Sequence, residues 1–323
     1  MRKITYGEGI REALREKMLE NKNVVLLGED VGPYGGTFGV TKGLWEQFGE
    51  ERVRDTPISE GVIVGASVGA AATGLRPVAE LMFIDFLTFG MDGLVNQAAK
   101  MRYMFGGKIS VPLVLRLPAG GGISAGAQHS GSLEAWVTHV PGLKVVYPSN
   151  ARDAWGLMLN AIDDDNPVVY IESKVLYSQK SEVPDEIAPI PFGSASVARE
   201  GADVSVITYG KQVHDSLKAA AALAKDGIEV EVIDLRSLYP LDKETIFKSV
   251  AKTHRALVVT EEVKRGGYGG ELSALISEQC FDELDAPVVR IGALDSPVPY
   301  SQILESLVLP SVEDIIKGIK ELF

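Results

Sequence analysis

The sequence predicts an α/β fold: two three-layer αβα domains with mostly parallel sheets. Three observations predict it. Short apolar runs such as Val24–Leu27, Val204–Thr208 and Val230–Asp234 read as strands buried on both faces, the habit of parallel sheets. Helical periodicity alternates with them, strand then helix, which is the pattern of sheets covered by helices. Finally, 323 residues are too many for one small core and suit two. Between Tyr177 and Gly193 the chain carries Pro184, Pro189 and Pro191 and little periodicity, so it reads as a linker. The expected division is a first domain over 1–180, a linker over 181–195 and a second domain over 196–323.

Thr5 and Glu8 form a Thr-x-x-Glu capping box, and Ile10, Ala13, Leu14 and Met18 give the apolar face of the helix behind it. The strand Val24–Leu27 ends in Gly28-Glu29-Asp30. Ligands of open α/β sheets gather at the carboxyl ends of strands, which makes Glu29 a candidate site residue. The glycine-rich loop that follows, Gly32 to Gly39, lacks a G-x-G-x-x-G between strand and helix, so a dinucleotide fold is rejected.

The most informative stretch is Asp55 to Arg76, DTPISEGVIVGASVGAAATGLR. The Thr-Pro step favours extended backbone. Ser59 reads as a helix N-cap, and Glu60 falls in the first turn, where the helix dipole favours negative charge. Behind it Gly61, Gly65 and Gly69 recur on one face. Each glycine costs a helix up to about 1 kcal/mol against alanine, so the pattern predicts that another backbone comes close. The apolar part is too short for a membrane span, which needs roughly 20 residues. Taken alone, a Ser-Glu pair also fits an ordinary first-turn acid.

A strand is expected over Val78–Met82, followed by FIDFLTF with Met82 and Phe86 four apart, and a helix that runs to Gly106-Gly107. Ser110–Leu117 is the next strand. The loop AGGGISAGAQHSGS after it has His129 as its one titratable group, and so many glycines imply that it bends sharply or approaches a ligand. Strand Leu143–Tyr147 leads to a helix capped by Ser149 or Asn150, and the helix ends in AIDDDNP before strand Val168–Ile171. Those aspartates lack EF-hand spacing, which excludes a calcium loop. In the second domain strands are expected at Val204–Thr208, Val230–Asp234, Ala256–Thr260 and Val288–Ile291. Helices are expected near Val213–Lys225, Lys243–Ala251, Glu271–Phe281 and Val312–Leu322.

Composition removes several function classes. Lys plus Arg is 32 and Asp plus Glu is 44, a net charge of −12. Such a surface repels nucleic acid and anionic membranes and suits a basic protein partner. One cysteine, Cys280, permits no intrachain disulfide and fits a reducing compartment. With no apolar signal core or transit segment at the start, the expected location is cytoplasmic. No Cys/His cluster is spaced for zinc.

The runs DTPISE, GLRPVAELMFIDF, AAKMRYMFGG, AQHS and PGLKVVYPS, in this order, closely resemble the beta subunit of the thiamine-diphosphate-dependent (E1) component of 2-oxoacid dehydrogenase complexes, within the transketolase-like superfamily. Pyruvate, acetoin and branched-chain 2-oxoacid dehydrogenases share this subunit. The resemblance implies that Glu60, in its Ile58-Ser59-Glu60 motif, hydrogen-bonds the aminopyrimidine ring of thiamine diphosphate and so assists removal of the thiazolium proton. It implies that Glu29 and Ile58 lie at the cofactor, that Phe86 packs on the aminopyrimidine face with Met82 beside it, and that His129 stands near the reacting carbon. A structural K+ is implied at Leu113, Ala161, Ile162, Asp164 and Asn166, largely through backbone carbonyls. The run from Thr260 to Glu271 matches the family in its Glu-Glu pair and its last glycines but departs in VKRGGY, so interface packing rather than catalysis is expected of the second domain.

The chain has no Gly-Asp-Gly diphosphate motif, which excludes a complete transketolase-like enzyme. Diphosphate and Mg2+ then fall to an alpha subunit in an α2β2 heterotetramer, and the acyl group passes to lipoyl groups of the acyltransferase (E2) component. The substrate expected is pyruvate or acetoin. The alternatives are a branched-chain 2-oxoacid dehydrogenase subunit and, from another class, a non-catalytic scaffold of the same fold, which would be expected to lose Glu60 or His129.

Overall fold

The computed structural model describes all 323 residues, and the chain divides into two compact units. The first comprises residues 1–119 and 136–192, and the second comprises residues 120–135 and 193–323.

In the first unit, β1 (Arg2–Thr5) leads into α1 (Tyr6–Glu20), whose Thr5–Glu8 capping box forms as the sequence predicts. β2 (Val24–Gly28), α2 (Leu44–Phe48), β3 (Val53–Asp55), α3 (Glu60–Ala72) and β4 (Arg76–Glu80) follow. Next come α4 (Leu87–Met91), a seven-residue π-helix (Asp92–Ala98) and α5 (Ala99–Met104). The helix expected here thus runs continuously from Leu87 to Met104, with its middle widened into π-helical turns. β5 (Val114–Ala119), α6 (Glu134–Thr138, whose first two residues are counted with the second unit), β6 (Lys144–Val146), α7 (Ala151–Asp163), β7 (Val168–Ser173) and β8 (Lys180–Val183) complete the series. Asn150, not Ser149, caps α7, accepting the Asp153 N–H at 3.0 Å.

Six strands of this unit lie side by side in the order β6-β7-β5-β4-β2-β3, all parallel. One core cluster joins α1 and α7 to this sheet through Ile10, Leu14, Met18, Leu26, Val78, Leu157, Met158 and Tyr170. The stretch read as a linker is not all irregular. Its residues Lys180–Val183 form β8, paired antiparallel with β1.

The second unit contains β9 (Ser196–Arg199), β10 (Val204–Thr208), α8 (Lys211–Leu223), β11 (Val230–Asp234), β12 (Ser237–Tyr239) and α9 (Lys243–Thr253). It continues with β13 (Ala256–Val263), α10 (Tyr268–Gln279), β14 (Val289–Ala293), α11 (Gln302–Val308) and α12 (Val312–Lys320). Its sheet runs β14-β13-β10-β11-β9, parallel except for the antiparallel edge strand β9. Its own core gathers Val206, Val232, Leu257, Val259, Ile315 and Ile319. No helix is long and apolar enough to cross a membrane.

Candidate active site

Strands β5, β4, β2 and β3 are neighbours, so the loops after them leave one edge of the sheet together. Gly28, the last residue of β2, is in register with Glu80 of β4. A Cβ at Gly28 would stand 2.7 Å from the Glu80 carbonyl oxygen, so this close pairing requires glycine. The next residue, Glu29, is buried at 6% exposure, and its Oε1 accepts the Ser59 N–H at 3.3 Å. Glu60 opens α3 and is also buried, at 8%. Burial, reinforced by the Glu60 carboxylate, pushes the Glu29 carboxyl above the usual range. Two acids from neighbouring strand ends thus share one small volume.

Ser59 occupies the N-cap position of α3 but does not cap it. Its hydroxyl instead donates to the Pro57 carbonyl at 2.9 Å. The loop before α3 is held from the other side by Asp55, whose Oδ1 accepts the Gly32 N–H at 2.5 Å. Ile58 is 82% exposed. The glycine face of α3 is largely open: a Cβ at Gly65 or Gly69 meets nothing, and one at Gly61 meets only the Phe89 backbone. The close backbone partner expected for this face is therefore supplied by this chain at Gly61 alone. Elsewhere it is α3 that fits into its neighbour, with Val64 seated against Gly90 and Gly93.

Met82 and Phe86 follow β4 and are half-buried. Phe86 packs edge-on against Phe83 at 6.2 Å, and Phe83 in turn lies 5.1 Å beneath the Lys174 ammonium. Behind them is a buried ionic network that the sequence reading missed. Arg116 on β5 is in register with Glu80 on β4 and is fully buried. Its guanidinium donates to both oxygens of Glu172, at 2.7 and 2.8 Å, and to Glu80; Tyr177 Oη donates to Glu172 at 2.6 Å. Burial pushes the Glu80 carboxyl up, opposed by the Arg116 charge; the two carboxylates raise the arginine, although burial opposes them. The signal was present in the sequence: each of the apolar strands VAEL, VLRL and YIES carries one charge where none is affordable without a partner.

The residues matched to a K+ site lie at the C-terminal end of α7 and before β5. The Arg76 Nη1 donates to the carbonyls of Ile162 and Asp164, at 2.9 and 3.2 Å, and the Ala161 carbonyl accepts the Asp164 N–H at 3.4 Å. The Leu113 carbonyl accepts the Val168 N–H at 2.8 Å. The Asp164 carboxylate pairs with Lys144 and accepts the Asn166 side-chain amide at 3.0 Å. An all-oxygen donor set is the chemistry a hard cation needs, and each carbonyl retains a second lone pair. No group of three or more His, Cys, Asp or Glu side chains is arranged to hold a metal.

His129 is carried by the second unit. It is half-buried, in the loop that runs on from β5, and its own N–H donates to the Gly126 carbonyl at 3.2 Å. The structure therefore brings Glu29 and Glu60 together, with Met82 and Phe86 in the same unit. Of the other histidines, His139 is exposed, and His254 ends α9 with its Nδ1 2.8 Å from the Glu283 carbonyl.

A parallel sheet with two buried acids, Glu29 and Glu60, beside its strand ends is thus followed in the chain by a second unit with its own mostly parallel sheet. The transketolase pyrimidine-binding domain matches residues 2–180 and the transketolase C-terminal domain matches residues 193–315. The chain is 47% identical to the acetoin:2,6-dichlorophenolindophenol oxidoreductase subunit beta of Bacillus subtilis, covering 99% of this chain and 97% of that one. It is 46% identical to the pyruvate dehydrogenase E1 component subunit beta of Rickettsia conorii (98% of each) and 44% identical to the 2-oxoisovalerate dehydrogenase subunit beta of Bacillus subtilis (99% and 98%). A solved split-gene transketolase, an inactive β4 tetramer, superposes with a TM-score of 0.78 over 99% of this chain and 98% of that one; at 24% identity it shows the fold alone. The chain belongs to the family of beta subunits of 2-oxoacid and acetoin dehydrogenases, enzymes of the oxidoreductase class.

Proposed function

We propose that this chain forms the aminopyrimidine half of a thiamine-diphosphate site in a pyruvate or acetoin dehydrogenase. The observation that carries the reading is the buried Glu29–Glu60 pair, held where β2 ends and α3 begins. A carboxylate at a helix start, shielded from water, can hold a proton at a ring nitrogen without being diluted by solvent. Glu60 is that group. Glu29 fixes the start of α3 through the Ser59 amide, and its own carboxyl is pushed up by burial and then by the Glu60 carboxylate beside it. Met82 and Phe86 give flat apolar contact for the ring, and Ile58 a contact at its edge. His129, the family's histidine near the reacting carbon, serves steps after proton removal. When bound, thiamine diphosphate supplies the electron sink for cleavage beside the substrate carbonyl.

Diphosphate and Mg2+ are assigned to an alpha subunit in an α2β2 assembly, with the acyl group passed to lipoyl groups of an acyltransferase. The open glycine face of α3, flanked by exposed Val62 and Phe89, supports a second chain packing there. The carbonyls of Leu113, Ala161 and Ile162 with Asp164 and Asn166 would hold K+. The single buried cysteine agrees with a cytoplasmic setting.

Reconstitution tests this reading. Alone, the chain should neither bind thiamine diphosphate with Mg2+ tightly in calorimetry nor turn over a 2-oxoacid; with an alpha subunit it should do both. Steady-state assays with pyruvate, acetoin and a branched-chain 2-oxoacid then rank the substrates, with pyruvate or acetoin expected first. Tight Mg2+-dependent binding by the isolated chain would contradict the half-site.

A further inference from the structure

Two buried carboxylates of the second unit hold the backbone of the His129 loop. The Oε1 of Glu261, on β13, accepts the Gly121 N–H at 2.7 Å. Glu305, on α11, takes three donors: the Gly122 N–H at 2.7 Å on Oε1, and on Oε2 the Ser124 N–H at 3.0 Å and the Ser124 hydroxyl at 3.4 Å. Ser124 has φ 56, a left-handed conformation unfavourable for a residue with a side chain, so the two bonds from Glu305 hold a backbone that would otherwise relax. The loop closes on itself where the Gly120 N–H donates to the Gly131 carbonyl at 2.9 Å.

The glycines are explained by these carboxylates. A Cβ at Gly120 would lie 2.6 Å from Glu261 Oε1; one at Gly121 would lie 2.6 Å from the Leu309 side chain and 3.1 Å from Glu305 Oε1. The backbone is thus stripped of side chains so that acids can reach its amides. Glu305 is only 2% exposed, so water offers these amides little competition for its oxygens.

We infer that Glu305 and Glu261 are positioning residues for His129: they clamp the loop at Gly121, Gly122 and Ser124 and so fix where the imidazole stands. The inference rests on the proposed role of His129 in steps after proton removal. Neither acid touches the reacting atoms, and both act through the loop.

The test uses the chain assembled with its alpha subunit. In hydrogen–deuterium exchange, Glu305→Ala should speed exchange across the 120–131 segment at least tenfold while α8, α9 and α10 keep their protection. In steady state, kcat for acyl transfer should fall and KM for the 2-oxoacid should stay near its original value. The His129→Ala, Glu305→Ala double variant should be no slower than His129→Ala alone. Where Glu305→Ala does not fold, Glu305→Gln carries the test, because it keeps one acceptor oxygen: exchange should rise at Ser124 more than at Gly122. Unchanged exchange in the loop would overturn the clamp. Faster exchange with unchanged kcat, or a double variant slower than His129→Ala by the full Glu305 factor, would overturn the link to His129. A normal kcat in His129→Ala alone would instead remove the role of His129, and the exchange result would still decide the clamp.

Discussion

Glu29 accepts the backbone N–H of Ser59, so the acid that ends β2 is fastened to the first turn of the helix that begins with Glu60. Its carboxyl is raised by burial first and by Glu60 second. A carboxyl raised in the folded state binds a proton that the unfolded chain has released, so stability is present at low pH and falls as pH rises through the folded value. Glu29→Gln keeps an acceptor for Ser59 and removes the charge. It should therefore raise Tm relative to the parent at pH 8, leave it nearly unchanged at pH 4.5, and lower turnover. Equal Tm differences at the two pH values would contradict the placement of Glu29.

The same sign applies more strongly in the second unit. Glu262 on β13 is pushed up to about 7 by burial, while the amides of Gly269, Tyr268 and Ala135 oppose the shift; the neighbouring buried Glu134 is also raised. Stability contributed by the protonated form should be lost between the ordinary carboxylate range, about 4.3, and about 7. Denaturation curves at pH 5.5 and 8 should lie closer together in Glu262→Gln than in the parent, the residual gap coming from Glu134, which still has a proton to lose.

Arg116 stands fully buried between Glu80 and Glu172. Arg116→Met should lower unfolding free energy by about 3–5 kcal/mol, the usual cost of leaving a buried partner uncompensated. Adding Glu80→Gln and Glu172→Gln should recover part of that loss. The urea midpoint measures both, and a loss under about 1 kcal/mol in the single variant would mean that the network relaxes or is hydrated.

Much of this fold was legible because the signals are local. β10 and β11 fall at the predicted residues, and the Thr5–Glu8 box forms, since short apolar runs and caps depend on nearby residues only. What escaped depended on tertiary partners. β8 has no periodicity of its own and exists because β1 offers it a pairing edge. The π-helix at Asp92–Ala98 sits where Gly90 and Gly93 must accommodate Val64, a constraint from α3 and not from the segment itself. Ser59 has the right residue type and position for a cap, but Pro57 captures its hydroxyl. At the site, Glu60 was legible as an isolated acid on an apolar helix. The ties from Glu261 and Glu305 to the His129 loop were not, because each joins residues 140 or more positions apart.

The proposed half-site requires Glu60 to act at the aminopyrimidine. Proton exchange at the thiazolium carbon, measured in the enzyme assembled with its alpha subunit, tests this directly. Glu60→Gln is nearly isosteric and should fold and assemble like the parent, yet slow that exchange by about 10²–10⁴-fold. Exchange at the parental rate in a correctly assembled Glu60→Gln enzyme would contradict the account.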